Sequence, residues 1–171
     1  AVVYNPPTMR IALAQLNPIV GDVSGNTDLI LNAIAQAQRE GADVLVTPEL
    51  ALLGYPPRDL LFRGGVIEAC EDAVQEIADH AENLHVCIGH PRRATGGRRG
   101  IRNSVSLCHA GKVIATYDKR LLPGYDIFDE DRYFDPGDKP CVVEIAGKRI
   151  GLLLCEDFWR ARDVDEAHSA Y

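Results

Sequence analysis

Apolar positions along this chain recur with two periods, and the switches between them mark out its elements. Arg10 to Gln15 is a short apolar run closed by Asn17-Pro18 and Gly21-Asp22, which predicts a first buried strand. From Asn26 the period becomes helical: Ile30, Ala33, Ile34 and Ala37 share a face, and Gly41 stands where a C-terminal cap belongs. Val44 to Thr47 predicts a second strand. The prolines of Gly54-Tyr55-Pro56-Pro57-Arg58-Asp59 predict a loop. Val66, Cys70, Ala73, Val74, Ile77, Ala78 and Ala81 line one face of a second helix, and Leu84 to Gly89 follows as a strand. Two hairpins come next. Asn103–Cys108 and Val113–Tyr117 flank a short turn, and after a long loop, Asp118 to Lys139, so do Cys141–Ile145 and Arg149–Leu154. An order of β-α-β-α followed by hairpins predicts an α/β fold, with a mixed sheet and helices on one of its faces.

Length and composition narrow this picture. The 171 residues suit one domain, with 46% hydrophobic and 25% charged positions, and no repeat or linker divides them. Met9 before Arg10-Ile11-Ala12-Leu13-Ala14 reads as a natural start, so residues 1–8 are expected to be a leader or remnant and residues 9–171 the domain. A formal charge of −7 argues against a nucleic-acid or anionic-membrane binder, and no run reaches the roughly 18 apolar residues of a membrane span. The five cysteines are odd in number and form no C-x-x-C pair, which suits a reduced, cytoplasmic setting. Cys70, Cys87 and Cys108 lie within apolar periodicity and are expected in the core.

Three reactive residues close three apolar runs. Glu49 ends Val44 to Pro48, Lys119 follows Val113 to Asp118, and Cys155 follows Ile150 to Leu154. Ligands of α/β proteins sit beyond the carboxyl ends of strands, so the three groups could share a pocket. Together they supply a nucleophile, a proton carrier and a fixed positive charge, enough for acyl transfer from an amide. The polar Glu156-Asp157 after Cys155 puts its sulfur at a boundary, where a nearby cation would favour the thiolate over its ordinary pKa of about 8.5. Glu49, hard against an apolar strand, is expected to be partly desolvated and raised from about 4.3 toward the range of a general base.

The motifs around these residues carry a resemblance. Pro48-Glu49-Leu50 with Gly54-Tyr55-Pro56-Pro57-Arg58-Asp59-Leu60-Leu61, then Tyr117-Asp118-Lys119-Arg120-Leu121-Leu122-Pro123, then Cys155-Glu156-Asp157-Phe158-Trp159, resemble the nitrilase superfamily. Leu122-Pro123-Gly124-Tyr125 and Phe128-Asp129-Glu130-x-Arg132-Tyr133-Phe134 make the glutaminase domain of glutamine-dependent NAD synthetases the narrower likeness. That resemblance implies a four-layer α-β-β-α sandwich with mixed sheets, only partly present in this chain. It implies a Glu49–Lys119–Cys155 triad, with Tyr125 and Tyr55 contacting the substrate and the Glu156 backbone N–H at the oxyanion. The implied reaction is hydrolysis of the glutamine amide, supplying ammonia for ATP-dependent amidation of deamido-NAD to NAD. No cofactor is expected for the hydrolysis; ATP and Mg2+ are implied for a synthetase domain outside this chain. Expected partners are L-glutamine, that synthetase domain in the same polypeptide, and further copies in a homo-oligomer, with no nucleic acid and no membrane.

Other readings stand beside this one. The fold could serve a stand-alone amidase acting on another small amide or carbamoyl compound, or a non-catalytic assembly module. His85, Cys87, His90, Cys108 and His109 lack a fixed metal-ligand spacing and are expected as core and loop residues. The six carboxylates between Asp126 and Asp138 are expected as a solvated loop over the pocket, and the arginines from Arg92 to Arg102 as a flexible solvated tip.

Overall fold

A computed structural model describes residues 8–159. Its centre is a five-stranded sheet, built from β1 (Ile11–Leu13), β2 (Val44–Val46), β3 (His85–Arg93), β4 (Ile101–His109) and β5 (Lys112–Asp118) in that spatial order. The first three strands run parallel, and β3, β4 and β5 are antiparallel. The helices α1 (Val23–Arg39) and α2 (Val66–His80) connect the parallel strands, as a crossover between parallel neighbours requires. A 3₁₀ turn at Arg58–Phe62 precedes α2, and the short helix α3 (Glu130–Tyr133) interrupts the segment after β5. The hairpin β6 (Cys141–Ile145) and β7 (Lys148–Leu152) forms a second, two-stranded sheet, and α4 (Glu156–Trp159) follows it.

The sheet is covered on both faces. On one side Ile30 and Ile34 of α1 and Ile67, Val74 and Ile77 of α2 meet Leu45, Val86 and Ile88. Burying each such side chain contributes roughly 1.5–3 kcal/mol before entropy is charged against it. On the other side Val44, Cys87, Val105, Leu107 and Tyr117 meet Ile145 and Leu152 of the β6–β7 hairpin. Helices, a mixed sheet and the start of a second sheet form three successive layers of the expected sandwich. Both predicted hairpin turns are present: Ala110 and Gly111 sit at φ 50° and 78°, Ala146 and Gly147 at 49° and 73°. Positive values at both central positions match the right-handed twist of the strands.

Four expectations need correction. Helix α1 begins at Val23, three residues before the predicted Asn26, because Asp22 caps it by accepting from Gly25 N at 3.0 Å. Strand β1 is shorter than predicted and lies at the sheet edge, leaving Ile11 58% and Leu13 77% exposed rather than buried. The arginine-rich tip is held, not loose: Asp135 accepts from Arg98 N at 2.9 Å, Arg99 N at 2.8 Å and Gly100 N at 2.7 Å. The acidic segment is not simply solvated either, since Glu130 and Asp135 are both buried. Cys70, Cys87 and Cys108 are buried as expected. His85 stacks on His109 with ring centres 3.9 Å apart, and the buried His90 bonds Ser106 Oγ at 2.8 Å.

Candidate active site

Three strand ends converge beyond the carboxyl edge of the sheets. Glu49 lies three residues after β2, and its peptide rests directly on β3 at Gly89. A Cβ at position 89 would stand 2.4 Å from Pro48 O and 2.6 Å from Leu50 N, so only glycine permits this approach. Lys119 follows β5 directly and is anchored through its backbone, donating to Asn103 O at 2.8 Å and accepting from Gly137 N at 2.7 Å. Cys155 occupies the turn between β7 and α4 with φ 42°, a left-handed conformation uncommon outside glycine. Its side chain is exposed.

The lysine is the hub. Its ammonium is fully buried and donates to Glu49 Oε1 at 2.7 Å and to Glu130 Oε1 at 2.9 Å. Two of its three N–H groups are thus committed. Tyr55 donates its hydroxyl to Glu130 Oε1 at 2.9 Å, and Asn103 Nδ2 donates to Glu49 Oε1 at 2.7 Å. Tyr125 donates to Glu156 Oε2 at 2.7 Å. Phe128 lies between the two tyrosines, 6.2 Å from Tyr55 and 5.8 Å from Tyr125 between ring centres, completing an aromatic wall.

Two carboxylates around one ammonium set the electrostatics. Burial pulls the Lys119 ammonium down, but Glu49 and Glu130 more than offset it and its pKa lies above the ordinary lysine value. Burial pushes Glu130 up, and Glu49 adds to that against the opposing pull of Lys119. Burial likewise raises the Cys155 thiol, followed by repulsion from Glu49 that the lysine does not cancel. A cation stabilising a standing thiolate is therefore not what the site contains. The lysine's charge is already shared by two carboxylates, so the thiol form of the cysteine is favoured over its ordinary balance and a base helps when it reacts.

Asp157 ties the cysteine turn to the lysine segment. Its Oδ1 accepts from Arg120 N at 3.1 Å and Leu121 N at 2.8 Å. Its Oδ2 accepts from Tyr117 Oη at 2.7 Å and Leu154 N at 3.2 Å. Four donors converge on a buried carboxylate, so Asp157→Asn turns an NH2 group toward donors. Hydrogen bonds to charged groups carry about 1.5–3 kcal/mol, so the urea midpoint of Asp157→Asn is expected to fall by a corresponding amount. An unchanged midpoint would show that the clamp holds nothing.

Glu49, Lys119, Tyr55, Tyr125 and Glu156 all lie in this cluster, and Cys155 is coupled electrostatically to Glu49, Lys119, Glu130 and Glu156. Sequence reasoning missed Glu130 and Asn103. Glu130 lies within the Phe128–Phe134 motif, yet six carboxylates in one loop hide the one that turns inward. Asn103 reads from the sequence only as the start of a strand. The resemblance gave Glu156 a role through its backbone, but its carboxylate is buried too.

Residues 10–162 match the carbon-nitrogen hydrolase family model. The chain belongs to that family. Among relatives of this carbon-nitrogen hydrolase, the glutamine-dependent NAD(+) synthetase of Xanthomonas campestris pv. campestris is 44% identical over 157 residues, covering 90% of this chain and 28% of its own length. The Synechocystis glutamine-dependent NAD(+) synthetase is 41% identical over 154 residues, covering 87% and 28%. Among solved structures, the glutamine-dependent NAD+ synthetase of Acinetobacter baumannii superposes with TM-score 0.85 at 31% identity, covering 95% of this chain and 30% of that one. A mutant of the amidase from Nesterenkonia sp. AN1, with the acetamide moiety of fluoroacetamide added covalently at its active-site cysteine, matches with TM-score 0.79 at 28% identity. It covers 99% of this chain and 64% of that one. The carbon-nitrogen hydrolase chain thus spans under a third of the synthetases it resembles.

Proposed function

We propose that this chain is the amide-hydrolysing part of a glutamine-dependent NAD synthetase, with Glu49, Lys119 and Cys155 as its catalytic residues. The observation that carries the chemistry is the buried Lys119 ammonium held between Glu49 and Glu130 and coupled to the exposed Cys155 thiol. The substrate rests on the relatives, whose name specifies glutamine dependence.

The residues divide the work as follows. Glu49 removes the thiol proton as Cys155 Sγ attacks the side-chain amide carbon of glutamine. Charge building on the carbonyl oxygen is met by the remaining N–H of Lys119 and by the Glu156 backbone. Glu49 then hands its proton to the departing nitrogen, which leaves as ammonia, and a thioester remains on Cys155. Water deprotonated by Glu49 attacks the thioester, and the thiol returns to its resting form as glutamate leaves. Tyr55 and Tyr125 line the approach. ATP and Mg2+ would serve the later amidation in the synthetase domain of the same polypeptide; among the described residues no group of three or more His, Cys, Asp or Glu side chains is placed to hold a metal ion. No described helix is long and apolar enough to cross a membrane.

The likeness to an amidase favours a second reading, in which the same residues hydrolyse another small amide. Brief iodoacetamide treatment and mass spectrometry test the shared chemistry. Cys155 is expected to label first, since Cys70, Cys87 and Cys108 are buried and their thiols pushed up to about 12, 11 and 12. Labelling of Cys155 should accelerate as pH rises toward 9 and above. Glu49→Gln removes the base that takes the thiol proton, and Lys119→Met removes the charge that favours the thiolate, so both should slow labelling near pH 8. Preferential labelling of another cysteine, or labelling of Cys155 that neither variant slows, would refute the assignment. Glutamine outcompeting simple amides as a protectant against labelling separates the first reading from the second.

A further inference from the structure

Asn103 is placed where the two carboxylates of the site must be kept apart in function. The residue is 1% exposed and lies on β4. Its Nδ2 donates to Glu49 Oε1 at 2.7 Å and also approaches Glu130 Oε2 at 3.4 Å. Lys119 donates to the same Glu49 Oε1 and to the opposite oxygen of Glu130. Lysine and asparagine therefore bridge the same pair of carboxylates, closing a ring of four side chains.

Two features show that this amide is not generic packing. Asn103 Oδ1 is buried without a hydrogen-bond partner among the described residues. Buried polar atoms nearly always find partners, so an orphaned acceptor is retained where the group's other end is required. The choice of a neutral donor also matters. A second cation there would hold Glu49 firmly ionised and make it a poor proton acceptor, whereas an apolar residue would leave its Oε1 with the lysine alone. An amide orients the carboxylate with little change to its charge balance. Both donors engage Oε1, which leaves Oε2 as the oxygen with no side-chain donor among the described residues.

We propose that Asn103 is a positioning residue, which fixes Glu49 through Oε1 so that Oε2 is the atom that exchanges protons with the thiol, the departing nitrogen and water. This inference rests on Glu49 being the general base. It makes a claim about the acidic limb of the pH–rate profile that a packing role would not make. Losing a donor to the ionised form raises a carboxylate's pKa.

The test uses the full-length polypeptide and glutamine hydrolysis, with Asn103→Leu, Asn103→Asp and Asn103→Ser compared in kcat, KM and pH dependence. Asn103→Leu is expected to lower kcat by about 10- to 100-fold with KM within about threefold, since general acid–base help is worth ~10²–10⁴ and a misdirected base retains some of it. The acidic limb of kcat/KM should move to higher pH in Asn103→Leu, and further in the isosteric Asn103→Asp, which adds a third carboxylate. If the leucine variant fails to fold, the aspartate and serine variants carry the test. An acidic limb that stays in place while activity falls only in step with the folded fraction would reduce Asn103 to packing. Unchanged kcat and limb in folded variants would also overturn the proposal. Glu49→Gln is assayed alongside: if it hydrolyses glutamine within tenfold of the parent, the base assignment itself fails. If it is inactive while the Asn103 variants are normal, only the present inference fails.

Discussion

Cys155→Ala in the full-length polypeptide is expected to reduce NAD formation from glutamine below detection and to leave NAD formation from ammonium salts at the parent rate. Removing sulfur removes the atom proposed to form the thioester, and among the described residues Glu49 and Glu130 beside it are both engaged by Lys119. Ammonia supplied from solution bypasses that step. The two nitrogen sources are measured on the same preparation, with folding checked by circular dichroism. Equal loss with both would refute the division of labour between hydrolysis and amidation. Continued turnover of glutamine would remove Cys155 from the mechanism altogether.

Lys119→Met should cost both rate and stability, and the two losses should separate in a double variant. For the rate, removing one donor to a developing oxyanion costs about 10²–10³ in kcat. For stability, Met leaves two carboxylates close together with no counter-charge, and breaking a buried ion pair costs about 3–5 kcal/mol. The sign of the pH dependence follows from Glu130. Burial holds its folded pKa above the ordinary carboxylate value even with the lysine present, so its ionised form opposes folding above the unfolded pKa. Without the lysine that opposition grows, and Lys119→Met should recover stability as pH falls from about 8 toward 5, as the carboxyl takes up its proton. Adding Glu130→Gln should restore much of the stability at pH 8 and none of the hydrolysis. Denaturant melts at both pH values check this. A single variant as stable as the parent at pH 8 would mean that the lysine's charge is not needed to hold the carboxylates together.

Much of this arrangement was legible in the chain because it follows from local pattern. Val44 to Val46, Lys112 to Asp118 and Lys148 to Leu152 are strands whose ends announce Glu49, Lys119 and Cys155. The helix faces of Ile30, Ile34 and Ala37, and of Cys70, Val74 and Ile77, needed only helical spacing. What escaped depended on long-range contact. Glu130 is recruited by Tyr55, 75 positions earlier, and by Lys119, 11 positions before it; neither separation leaves a periodic trace. Asn103 interrupts no pattern, since a polar residue inside a strand reads as solvent-facing until the opposite layer is known. The start of α1 was missed because Ser24-Gly25 looks like a turn, although Asp22 three residues before Gly25 was a cap signal. Strand β1 looked buried because apolar composition does not reveal whether a strand lies at an edge.

The backbone at Cys155 has a consequence for how this protein could change over time. A side chain held at φ 42° costs of order 1–3 kcal/mol relative to a relaxed turn, a penalty glycine would not incur. The proposed nucleophile thus stands at a spot where selection for heat resistance alone would replace it. Lineages under pressure for robustness but not for turnover would drift toward glycine there, keeping the clamp of Asp157 and losing the chemistry. A cysteine at so unfavourable a turn is what the proposed chemistry would require and what packing alone would not favour.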